Sequence, residues 1–109
     1  MPTEEEDAVV LGGNIHLAGF KEIDSSSMTV AKKMIGNHVH RFGELSQVEE
    51  LKITVKKIHE REKSEKYELQ ARLRTDGRFL KAEAVDRNLF FAIDAVMKRL
   101  ESEIEHNKP

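Results

Sequence analysis

Five histidines, a serine run and a scatter of lysines and arginines are the residues of this 109-residue chain that could do chemistry. His38 and His40 stand two apart in a stretch that reads as helix, where their side chains diverge by about 200° and cannot face one ion. His16, His59 and His106 fall on separate elements, so no metal site is expected and no cofactor. Ser25-Ser26-Ser27 has no nucleophile elbow around it and is better suited to capping a helix. Glu101 and Glu105 are neighbours on one helix face rather than a paired acid and base, and the glycines form no phosphate loop. No catalytic residue is assigned, and the chain reads as non-enzymatic.

What remains is basic. Lys32, Lys33 and Arg41 on a first predicted helix, with Lys98 and Arg99 on a second, form one patch if the two helices lie side by side. Arg72, Arg74, Arg78 and Lys81, joined by Lys52 and Lys56, form another on the open face of a sheet. Either set suits a polyanion. Glu44, Glu68, Glu83, Glu101, Glu103 and Glu105 interleave with them, so a plain mixed-charge surface is the alternative.

The elements that must position these residues follow from periodicity. From Leu89 the apolar residues Leu89, Ile93, Val96, Met97, Leu100 and Ile104 recur every three or four positions, one stripe of a helix. Asp86 or Asn88 can cap its start, and Asn107 with Pro109 marks its end. Asp24 and the serines after it open another helix, with a stripe of Met28, Ala31, Ile35, Val39, Phe42 and Leu45 that ends near Leu45. Gly36 inside it implies either a close approach or local tolerance.

Four stretches alternate as half-buried strands do. They are Asn14–Phe20, the run from Leu51, the run from Tyr67 to Arg74, and Phe79–Val85. The second slips out of phase at Lys57-Ile58, which suggests a bulge. His59–Lys66 is a charge run that reads as a solvated hairpin connection. Asp76-Gly77 is the strongest turn signal, because a type I′ hairpin needs positive φ at both central residues. Ala8–Leu11 is a small edge strand or a lead-in. The order strand, helix, three strands, helix predicts an α+β two-layer sandwich, with both helices on one face of a mostly antiparallel four-stranded sheet.

Length and composition bound the rest. The chain is enough for a single core, expected over residues 14–109, behind an acidic, largely disordered leader at residues 1–13. Cysteine is absent, which excludes disulfides and thiolate chemistry. No apolar run approaches the roughly 20 residues of a membrane helix, and no basic-then-apolar signal opens the chain, so a cytoplasmic protein is expected, with no membrane partner. The net charge is -2, but without Glu4, Glu5, Glu6 and Asp7 the 18 Lys and Arg face 16 acids and the balance is about +2.

One long stretch also carries a resemblance. Asp76-Gly-Arg-Phe-Leu-Lys-Ala-Glu-Ala-Val-Asp-Arg-Asn-Leu-Phe-Phe-Ala-Ile-Asp-Ala-Val-Met-Lys-Arg-Leu-Glu101, with the element order, resembles the ribosome hibernation-promoting factor and ribosome-associated inhibitor family. The likeness lies in a hairpin, an A-x-A strand, a D-x-x-A-I-D-like helix start and a K-L-E-like finish. It implies a β-α-β-β-β-α fold like that of double-stranded RNA-binding domains. It also implies docking on the small ribosomal subunit, with ribosomal RNA as partner and translation held inactive. Lys32, Arg41 and Arg99 then stand at family-like basic positions. The rival expectation is a protein-interaction module or homodimer that uses a strand edge or the Phe90-Phe91 surface, without RNA.

Overall fold

The computed structural model describes residues 9–11, 14–60 and 64–106. The expectations for residues 1–8, for the 12–13 break, and for Asn107 and Pro109 as a helix stop lie outside the described residues. The chain is α+β. A mixed sheet runs in the order β1 (Val9–Leu11), β2 (Ile15–Ala18), β3 (Val48–Glu60), β4 (Ser64–Thr75), β5 (Arg78–Asp86). A 3-10 turn (Phe20–Glu22) and helix α1 (Ser25–Leu45) separate β2 from β3, and helix α2 (Leu89–His106) follows β5.

β2 pairs with β3 in parallel, and α1 makes the crossover such a pair requires. The other neighbours are antiparallel. The sheet therefore holds one strand more than the four expected, since Val9–Leu11 pairs with Leu17–Ile15 at its edge.

Alternation sorts the strands' side chains. Ile15, Leu17, Leu51, Ile53, Val55, Leu69, Ala71, Leu73, Leu80, Ala82 and Ala84 are buried on one face. The stripe of α2 lies in that core, with Leu89, Ile93, Val96, Met97, Leu100 and Ile104 all buried. α1 contributes Ala31, Ile35 and Phe42, while Met28, Val39 and Leu45 are half-buried at its margin. Small residues at Ala71, Ala82 and Ala84 leave room for a helix to lie close on the sheet.

The N-termini of both helices are capped by the residues expected. The Asp24 carboxylate accepts from the Ser27 N–H at 3.0 Å. Asn88 Oδ1 accepts from the N–H groups of Phe90 and Phe91 at 2.9 and 3.1 Å, while Asp86 accepts from Asn88 N–H at 2.8 Å. Asp76 and Gly77 have φ of 50° and 73°, the positive pair a type I′ turn demands. Gly36 faces open space, so tolerance rather than a close approach explains it. Gly19 is the glycine with a packing reason. Its φ is 79°, and a Cβ there would run into the Val55 carbonyl oxygen.

Two local expectations are corrected. β3 runs without a break through Lys57-Ile58, and its irregularity lies instead between Val48 and Glu50. The charge run after it is not all connection, because β3 continues to Glu60 and β4 begins at Ser64. Cross-strand polar contacts accompany the extension. Glu65 lies 3.9 Å from Lys57 Nζ and 3.7 Å from His59 Nδ1, so residues that look like a solvated loop are cross-strand partners.

Candidate nucleic-acid interface

The open face of the sheet is built by register. Lys52 on β3 stands opposite Arg72 on β4, which stands opposite Lys81 on β5. In the parallel pair, His16 on β2 stands beside Lys52. Each of these four is flanked along its strand by buried residues, so all four side chains rise from the same outer face. The result is a row of three cations and a histidine running across four strands. Cβ atoms of directly opposed residues lie ~4.5 to 5.5 Å apart, and like charges at that separation destabilise the pair.

The neighbouring rows are different in kind. Thr54, Gln70 and Glu83 are opposed one register step along, a row of hydrogen-bonding side chains. On the other side Glu50, Arg74 and Phe79 are opposed, and Arg74 Nε is held 2.9 Å from Glu49. Phe79 is 60% exposed although it is apolar, and the Arg72 guanidinium sits 5.9 Å from its ring centroid. Lys52, Thr54, Gln70, Arg72, Lys81 and Glu83 line a shallow concavity of about 290 Å³. Lys56 is exposed on the same face, beside Glu68 and Val85. Arg78 is half-buried at the start of β5, opposite Thr75.

The helical set is arranged otherwise. α1 and α2 pack against each other, which brings the two helices' cations to one side of the molecule. Three of the five are engaged within the protein. Arg41 lies 3.5 Å from Glu101 and 3.7 Å from Glu44. Lys98 Nζ is 2.9 Å from Asp94 Oδ2. Arg99 donates to the backbone carbonyl of Glu83 and so covers part of the outer edge of β5. Lys32 and Lys33 are exposed on α1.

Between the helices His38 Nε2 is 3.3 Å from Asp94 Oδ1. The hydrogen bond from Lys98, helped by its charge and by His38, holds the Asp94 carboxyl below the usual carboxylate value.

Sequence reasoning placed Lys52, Lys56, Arg72, Arg74, Arg78 and Lys81 on the open face; Arg78 instead shares the phase of buried Leu80 and Ala82 and stands opposite buried Thr75, and His16 and Phe79 were passed over as site residues. The signal for Phe79 was present. It shares the phase of Lys81 and Glu83 in an alternating strand, which puts an aromatic ring on the polar side. Among the described residues no group of three His, Asp or Glu is placed to hold a metal, and no helix is long and apolar enough to cross a membrane. In comparisons with known proteins, no family model matches the chain and no curated protein matches it.

Proposed function

We propose that this domain is a non-enzymatic RNA-binding module that holds phosphates on the open face of its sheet. The observation that carries the reading is the row His16–Lys52–Arg72–Lys81. Three cations stand in direct cross-strand opposition, with Glu50 and Glu83 diagonal to the middle one, and a phosphate backbone is the counterpart that fits such a line of cations. The helical set Lys32, Lys33, Arg41, Lys98 and Arg99 is the weaker candidate, because a polyanion would have to displace Glu101, Asp94 and the Glu83 carbonyl.

The resemblance to ribosome hibernation factors, carried by residues 76–101 and by helical positions rather than by this face, makes ribosomal RNA of the small subunit the partner to try first. It also extends the proposal to a cytoplasmic inhibitor of translation, whose elements from Ile15 onward vary the double-stranded RNA-binding-domain order. The rival reading is a protein-interaction module or homodimer. Phe91, 66% exposed at the start of α2 beside the half-buried Phe90, favours it.

The test is fluorescence anisotropy with labelled ribosomal RNA fragments at two or more salt concentrations. The triple variant Lys52→Gln, Arg72→Gln, Lys81→Gln should lose most of its affinity, and the slope of log K against log salt should flatten by about 2 if each lost contact releases about 0.7 counterions. Lys32→Gln with Lys33→Gln should change affinity only slightly. No wild-type binding at low salt, together with self-association that Phe91→Ser abolishes, would give the rival reading the lead.

A further inference from the structure

We infer that the open face takes RNA as a single strand, with Phe79 as the surface on which one base stacks. The inference rests on the reading of that face as an RNA surface and adds to it the form of RNA that is bound. Phe79 is the first observation. Phe20 and Phe42 are fully buried, whereas Phe79 stands 60% exposed in the middle of polar side chains, where folding gains little from it. Its place beside the cationic row is the second. Arg72 lies 5.9 Å from the ring centroid, so a group seated on the row is within one side chain of the ring.

The third observation is the order of the rows. Moving along the strands, a row that holds an aromatic ring (Phe79, with Arg74 and Glu50) is followed by cations (Lys52, Arg72, Lys81) and then by Thr54, Gln70 and Glu83, which can donate to and accept from base edges. One nucleotide needs those three things side by side: a flat apolar partner for the base, a positive partner for the phosphate, and polar partners for the edge of a neighbouring base. The concavity of about 290 Å³ between the last two rows gives that neighbouring base a place to enter.

A duplex could use only the cations. Its bases are stacked on each other and paired at their edges, so an aromatic ring standing on a sheet face reaches none of them. A splayed single strand can use all three rows. The face should therefore prefer the single strand by whatever the stacked base contributes. Alanine substitution of a stacking aromatic removes ~1 to 3 kcal/mol per base, which is about five- to 150-fold in affinity.

The experiment compares a labelled single-stranded RNA of about 12 nucleotides, a length within the usual span of such sites, with its duplex. Both are titrated with the full chain by anisotropy at low salt. A second single strand carries 2-aminopurine in place of adenine, whose fluorescence reports stacking. The expected result is tighter binding of the single strand, a fluorescence change at saturation, and a loss of about five- to 150-fold in Phe79→Ala and Phe79→Leu that Phe79→Tyr does not show. The affinity of these variants for the duplex should be unchanged. Because Phe79 is exposed, the substitutions leave the core intact, and circular dichroism verifies it. Equal binding of the two RNA forms, with Phe79→Ala indifferent, overturns this inference and leaves the phosphate row standing. Binding of neither form overturns the RNA reading itself, and this inference with it.

Discussion

Arg72 has a cation directly opposite it on each side, and replacing it with glutamate should make the protein more stable while it weakens RNA binding. With the charged ends of these long side chains splayed to ~8 Å and an effective dielectric of about 40, between surface and bulk values, a pair of unit charges interacts by about 1 kcal/mol, and a Debye length near 8 Å at physiological salt leaves a little over a third of that. Arg72→Glu turns two such repulsions, with Lys52 and Lys81, into attractions, a gain on the order of 1.5 kcal/mol before other changes. Loss of the arginine's contact with the Phe79 ring removes about 0.5 kcal/mol at an exposed site. Glu50 and Glu83, diagonal to the position, roughly cancel the gain from Arg74 beside it on β4. The net expectation is about 1 kcal/mol of stabilisation, seen as a rise of roughly 4 °C or more in Tm for a domain of this size.

The assay is urea and thermal unfolding by circular dichroism, run at low, physiological and about 1 M salt, where the Debye length falls to ~3 Å and the gain should shrink to nearly nothing. A variant that is less stable than the wild type at physiological salt, or a gain that salt does not alter, would refute the reasoning. The row would then not be held against its own repulsion, and its cations would be compensated within the protein.

Two further outcomes are expected. Gly19→Ala should destabilise by at least ~1 to 2 kcal/mol, since it forces a side chain into left-handed backbone and against the Val55 carbonyl; an unchanged urea midpoint would contradict that geometry. Asp94→Asn bears on pH. The folded carboxyl titrates below its ordinary value, so its contribution is present above that value and is lost as pH falls through the depressed one. The variant should thus be a few tenths of a kcal/mol less stable at neutral pH, the scale of an exposed helix ion pair. The difference should close below about pH 4, near the unfolded value, and a gap that persists in acid would assign it to something other than charge.

The parts of the fold legible in the sequence are those in which a local rule meets no competitor. Asp76-Gly77 has few conformations besides the turn it makes, and the stripe from Leu89 to Ile104 admits no period but a helix. The long β3–β4 hairpin was harder to see, because in His59–Lys66 every strand position is polar and periodicity has nothing to mark. Only the partner across the sheet, Glu65 against Lys57 and His59, makes a strand of it. The same limit applies to the candidate site. A two-residue turn at Asp76-Gly77 already implies that Arg72 faces Lys81. That Lys52 and His16 continue the line depends on the registers of a hairpin and a parallel pair, and neither follows from residue types.

That parallel pair has a kinetic consequence. β3, β4 and β5 follow one another as hairpins, and α2 returns at once onto β4 and β5, so the segment from Val48 to His106 can assemble from contacts near in sequence. β2 must instead find Leu51 across the whole of α1, and the entropy of that closure is lost before any of its contacts form. The expected order is a C-terminal meander and helix first, with β2 and α1 docking last. In pulsed hydrogen exchange the amides of Leu69–Leu73 would gain protection before those of Ile15–Leu17, and the reverse order would contradict it. On that route the cations of β3, β4 and β5 are already aligned across the outer face before the N-terminal part of the domain has arrived.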